Sequence, residues 1–146
     1  MVLHAKNRVT SMAIDYSRPL NVLVVDDVKV HRFLIISGLE RLNPCIKTEE
    51  AASFAEAVEK LESGNFNVVI SDWSMPGGGG NHLIKWMRSR PHFRRVPFIM
   101  ISSNSDKEDI IQAFMRLGID AYVTKPFKPD ELYEKMIAAL DKRQNG

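Results

Sequence analysis

The feature that most restricts the fold is a repeated alternation between short apolar runs and longer segments of helical period. The runs "NVLVV" (residues 21–25), "FNVVIS" (66–71), "PFIMIS" (97–102) and "DAYVT" (120–124) are β-branched or aromatic at successive positions. That is the composition of strands buried on both faces. A fifth run, "IKTEEA" (46–51), alternates apolar with polar residues and reads as an edge strand. Strands alternating with helices predict an α/β domain built on a parallel sheet. Between the runs, "VHRFLIISGLERL" carries an apolar stripe through Phe33, Leu34, Ile36 and the Leu39–Leu42 turn. "SFAEAVEKLESG" offers Ser53 as N-cap with Glu56 three residues on, and Gly64 as its stop. A third helix is expected from about Asn81 to Arg90, ended by Pro91. "SDKEDIIQAFMRLG" begins with a capping box from Ser105 to Glu108 and assigns Ile110, Ile111, Phe114 and Leu117 to its inner face. The last helix opens on Pro129 and turns Leu132, Met136, Ile137 and Leu140 inward.

A chain of 146 residues has room for one such domain and not for two. Residues 1–18 are expected to form a flexible extension, 19–142 the domain and 143–146 a short tail, together a complete single-domain protein. A net charge of +2 argues for neither a nucleic-acid nor a membrane surface. No apolar run approaches the roughly 20 residues that cross a bilayer. Cys45 is the one cysteine, so no internal disulfide forms; this fits a reducing, cytoplasmic setting with Cys45 partly buried. The basic stretch "RSRPHFRR" (88–95) is expected as a solvated loop, the four histidines as surface residues, and Trp86 and Met87 as core and rim.

Polar side chains then stand where the apolar runs end: Asp26 and Asp27, Asp72, Ser102, and Lys125 just past Thr124. In a doubly wound parallel sheet the carboxyl ends of the strands open on one edge, where ligands bind. A single strand-end aspartate is ordinary turn chemistry, but these residue types complement one another. Three carboxylates in one crevice repel unless a cation neutralises them, and a hard divalent ion such as Mg2+ suits oxygen donors. A lysine and a hydroxyl suit phosphoryl oxygens, and a carboxylate can form an aspartyl phosphate. The set describes a phosphoryl-accepting site.

The segments "LVVDD" (23–27), "ISDWSMP" (70–76), "PFIMISS" (97–103) and "AYVTKPF" (121–127) resemble, in order and spacing, the motifs of response-regulator receiver domains of the single-domain chemotaxis type. The resemblance covers about residues 20–141. It implies a flavodoxin-like sandwich of five parallel strands, ordered 2-1-3-4-5, with five helices. It further implies a two-component signalling protein in which Asp72 accepts a phosphoryl group from a histidine kinase or phosphotransfer protein. Such a protein is a phosphoacceptor that assists its own phosphorylation and dephosphorylation, not an enzyme. Asp26, Asp27, Asp72 and the Ser74 main-chain carbonyl would serve Mg2+, with Asp26 acting mostly through water. Ser102 and Lys125 would meet the phosphoryl group, and Lys125–Pro126 would be a cis peptide. Ser102 and Tyr122 would relay the change to a surface of helix four, strand five and helix five that binds a downstream protein. No direct nucleic-acid contact and no membrane insertion are implied.

Some positions depart from the commoner pattern. Ser74 and Asn104, each two residues beyond a site residue, are expected to tune the lifetime of the aspartyl phosphate. Gly79 stands where an acidic residue is usual, before the glycine matched by Gly80, and Phe54 stands where many such domains have glycine. The run Gly77–Gly80 lacks the Gly-Lys-Ser/Thr of a phosphate-binding loop and is expected to be a flexible turn. Two other readings remain. An aspartyl-phosphate hydrolase would need a second acid where Ser74 stands. A degenerate receiver serving as a constitutive binding module would not need the intact acid, hydroxyl and lysine set.

Overall fold

A computed structural model of the chain describes residues 19–103 and 107–145. The apolar runs form β1 (Leu20–Val25), β2 (Ile46–Ala51), β3 (Val68–Asp72), β4 (Phe98–Ser102) and β5 (Ala121–Thr124). They alternate with α1 (Lys29–Leu42), α2 (Phe54–Ser63), α3 (Gly80–Arg88), α4 (Lys107–Leu117) and α5 (Pro129–Asn145). All pairings are parallel, in the order β2-β1-β3-β4-β5, so the alternating run "IKTEEA" does lie at an edge. The final helix continues to Asn145, so residues 143–145, expected as a tail, are helical. The expected extension over residues 1–18, the rate-tuning Asn104 and the Ser105 cap lie outside the described residues.

Successive side chains of a strand point to opposite faces, and here both faces are covered. Val22, Val24, Ile70, Ile99, Ile101 and Val123 pack beneath α1 and α5. Leu23, Val25, Val69, Phe98 and Met100 pack beneath α2 and α3, with Leu117 of α4 at the margin. Helix α2 starts as expected: the Glu56 N–H donates to Ser53 Oγ at 3.1 Å, and the Ala52 N–H donates to Glu56 Oε1. Leu132, Met136, Ile137 and Leu140 of α5 are buried, also as expected.

Two helix faces differ from expectation. In α1 the buried residues are Ile35, Gly38 and Leu39, whereas Phe33 and Leu34 are 65% and 51% exposed. The start of α5 sets this rotation: a Cβ on Gly38 would lie 2.9 Å from Pro129 Cβ, so the helices meet where α1 has no side chain. In α4, Ile111 and Phe114 are exposed rather than internal, Met115 more so, and Leu117 is only partly buried. Cys45 is exposed as well, not partly buried.

Most of the basic stretch is exposed as expected, but Arg88, the last residue of α3, is drawn in. Arg88 donates to the carbonyls of Gly118, Phe93 and Val96 and to Asp120 Oδ2, tying the end of α3 to the start of β5. Burial and the neighbouring Arg143 lower its guanidinium to about 10, against the pull of Asp120, and leave it charged at neutral pH. Arg143 holds the other Asp120 oxygen at 2.7 Å.

Candidate functional site

The ladder register determines which strand ends meet. Val25 pairs with Ser71, Asp72 with Ile101, and Ser102 with Thr124. Asp26 and Asp27, Asp72, Ser102 and Lys125 therefore emerge side by side at one edge of the sheet. The Trp73 N–H donates to the Ile101 carbonyl at 3.0 Å, and the Lys125 N–H to the Ser102 carbonyl at 2.8 Å, extending the ladder past the strand ends. The Lys125–Pro126 peptide is cis.

Asp26, Asp27 and Asp72 form an acidic cluster in which each offers a carboxylate oxygen, all within 4.8 Å of one another. Asp26 is buried, Asp72 half-buried and Asp27 exposed. A buried carboxylate must be paired, and Asp26 is. Its Oδ1 accepts the Val28 N–H at 2.9 Å, and its Oδ2 lies 3.3 Å from Lys125 Nζ. Lys125 Nζ is also 3.3 Å from Asp72 Oδ1. Burial raises the Asp72 carboxyl above its ordinary value; Lys125 opposes this, and Asp26 and Asp27 add to it. Three acids against one lysine leave excess negative charge on hard oxygen donors. That donor set fits a divalent cation of the Mg2+ type.

Ser102 is buried, and among the described residues its hydroxyl makes only a long bond, 3.3 Å, to the carbonyl of its neighbour Ser103. A local bond of that length is readily exchanged. Ser74 is exposed beside Asp72. Tyr122 lies further along β5, its ring edge-on to Phe114 of α4 at 5.6 Å and 5.4 Å from Lys135 Nζ of α5. Lys135 also donates to the Tyr122 carbonyl at 2.8 Å.

The glycine run makes the expected turn at one end and a close approach at the other. Gly77 has φ +78, which makes the turn, but Gly79 and Gly80 are buried against the end of β3. A Cβ on Gly80 would lie 2.7 Å from the Asp72 carbonyl oxygen, and one on Gly79 would overlap the Trp73 carbonyl. The Gly80 N–H donates to that same Trp73 carbonyl at 2.9 Å. The glycines let α3 begin directly on the backbone that carries Asp72.

His31 is the residue that sequence reasoning missed. It sits in the first turn of α1, and its Nδ1 is 3.2 Å from Lys125 Nζ and 3.3 Å from Asp26 Oδ2. No sequence signal marked it, because the contact depends on which way the first turn of α1 faces. Arg32, next to it, donates to the Asp26 carbonyl at 2.7 Å and pairs with Glu50. Among the described residues no helix is long and apolar enough to cross a membrane.

The family model for the response regulator receiver domain matches residues 22–137. The chain is 38% identical over 122 residues to the chemotaxis protein CheY1 of Helicobacter pylori, covering 83% of this chain and 97% of that protein. It is 34% identical over 127 residues to the chemotaxis protein CheY of Pseudomonas aeruginosa, covering 87% of this chain and 100% of the relative. Among solved structures, the Francisella response regulator 1452 receiver domain is similar with a TM-score of 0.74 and 33% identity, over 86% of this chain and 98% of that one. A CheY-like receiver domain protein from Methanospirillum hungatei is similar with a TM-score of 0.77 and 26% identity, over 87% of this chain and 98% of its own.

Proposed function

We propose, for a chain that belongs to the response regulator receiver domain family and is a two-component response regulator, that Asp72 is its phosphoacceptor. The observation that carries this is the convergence of Asp72 with Asp26, Asp27 and Lys125 at one sheet edge. The phosphoryl donor is a phosphohistidine on a histidine kinase or phosphotransfer protein. Asp26, Asp27, Asp72 and the Ser74 main-chain carbonyl would hold Mg2+. When bound, that ion supplies positive charge against the oxygens of the transferring group.

Ionised Asp72 attacks phosphorus in line, an oxygen–phosphorus bond forms, and the phosphorus–nitrogen bond to the donor imidazole breaks. Lys125, already beside Asp72, offsets charge on the equatorial oxygens. The Ser102 hydroxyl exchanges its long bond to Ser103 for a phosphoryl oxygen. Drawing Ser102 inward lets the Tyr122 ring leave the edge of Phe114, which biases the surface of α4, β5 and α5. The exposed Ile111, Phe114 and Met115 support that surface as a protein-docking face. So does a groove of about 280 Å³ between Phe114, Tyr122 and Lys135. The similarity to two chemotaxis proteins supports a downstream protein target. Ser74, exposed next to Asp72, tunes how readily water reaches the acyl phosphate, and Asn104 is proposed to do the same.

A labelling assay with a small phosphodonor and Mg2+ tests the reading. The native chain takes up one phosphoryl group, Asp72→Asn takes up none, and chelation of Mg2+ abolishes uptake. Equal labelling of Asp72→Asn at neutral pH would overturn it.

A further inference from the structure

Lys125 carries three ammonium hydrogens, and the structure gives them three partners: Asp26 Oδ2 at 3.3 Å, Asp72 Oδ1 at 3.3 Å and His31 Nδ1 at 3.2 Å. An ammonium only donates, so an imidazole nitrogen facing it serves as acceptor when the ring hydrogen is on Nε2. His31 differs from the other two partners in kind. It is an imidazole rather than a carboxylate, it is carried by α1 rather than by a strand end, and its Nδ1 also lies 3.3 Å from Asp26 Oδ2. Its backbone is fixed, the His31 N–H donating to the Val28 carbonyl at 3.0 Å, while Leu34 and Ile35 continue the same groove along Pro126 and Phe127.

We propose that His31 is a positioning residue for Lys125. Its Nδ1 anchors the ammonium over the acid cluster, so that the lysine meets the transferring phosphoryl group already oriented. Lysine is a flexible point charge on a four-carbon stem, and it contributes to transfer only where its head is held in place. Asp72 Oδ1 is an oxygen of the nucleophile, and Asp26 is shared with the cation site. As both carboxylates turn to other charges, His31 is the partner that stays. This role rests on the reading of Asp72 as phosphoacceptor and adds a residue to it.

The experiment measures phosphorylation by phosphoramidate across a Mg2+ titration, with tryptophan fluorescence reporting Mg2+ binding through Trp73 beside the site. His31→Phe keeps a ring without the acceptor; at saturating Mg2+ it slows phosphorylation about tenfold, the scale of one hydrogen bond to a charged group. His31→Asn, whose side-chain oxygen can stand near the Nδ1 position, recovers the rate to within about twofold of native. In a Lys125→Met background, His31→Phe has no further effect, because the group it positions is gone. An unchanged rate in His31→Phe would overturn the proposal. So would a loss erased by saturating Mg2+, which would assign His31 to the Asp26 cation site, or an equal further loss in the Lys125→Met background. If the native chain is not labelled while Mg2+ binds normally, it is the phosphoacceptor reading that fails.

Discussion

At the scale of single residues, Asp72 is held under electrostatic tension. Burial and the two neighbouring aspartates raise its carboxyl above the ordinary value of 3.8, and Lys125 only partly offsets them. A carboxyl raised in the folded state favours the fold below its unfolded value, and that contribution is lost as pH rises through the folded value. Metal-free native protein should therefore lose stability, relative to Asp72→Asn, as pH rises from about 4 toward neutrality. The Tm of the variant should rise relative to that of the native chain between pH 3.5 and pH 7. Thermal melts of both proteins in chelator at pH 3.5 and pH 7 check this, and a gap that widened toward acid would contradict it. The convergence of Asp26, Asp27, Asp72 and Lys125 was legible in the sequence, because each stands at the end of an apolar run and parallel strands bring those ends together. His31 was not legible. Its contact depends on which way the first turn of α1 faces, and nothing in its own neighbourhood announces that.

At the scale of elements, the strands were readable because both faces of the sheet are covered and the strands other than the edge strand β2 are largely apolar. Helix rotation was harder to read. In α1 and α4 several apolar residues compete for the inner face, and the winner is set by a partner far along the chain. Gly38 meeting Pro129 turns Ile35 and Leu39 inward and leaves Phe33 and Leu34 outside. Ile35→Ala should cost about 2–4 kcal/mol, whereas Phe33→Ser should change stability by less than about 0.5 kcal/mol. Urea titrations distinguish the two, and similar losses for both would place the α1 face wrongly. The glycine run also carries more than the turn expected of it, since a sequence shows conformational freedom but not close approach. Gly80→Ala drives a methyl onto the Asp72 carbonyl. It should cost about 1–3 kcal/mol and lower the phosphorylation rate, because the strain falls on the backbone that carries the nucleophile. Gly77→Ala meets no atom within 4 Å, only the strain of φ +78, and should leave the Asp72 backbone in place.

At the scale of the whole molecule, the sheet links the acid cluster to the proposed docking face. The acid cluster lies at the carboxyl edge, and the exposed apolar residues of α4 lie beside Tyr122 on β5. Ser102 and Lys125 connect them through the β4–β5 ladder, where the Lys125 N–H donates to the Ser102 carbonyl. On the proposed reading, a charge added at Asp72 would act through that ladder on the face of α4, β5 and α5. That connection depends on one claim, that the phosphoryl group is carried by Asp72. The most direct measurement is residue mapping: phosphorylate the native chain with phosphoramidate and Mg2+, reduce with borohydride, digest, and sequence the peptides by mass spectrometry. An acyl phosphate is reduced to the alcohol, so the expected result is homoserine at position 72 and unchanged aspartate at 26 and 27. Reduction at Asp26 or Asp27 with Asp72 unmodified, or a phosphoryl group that survives borohydride on Ser102, would contradict it.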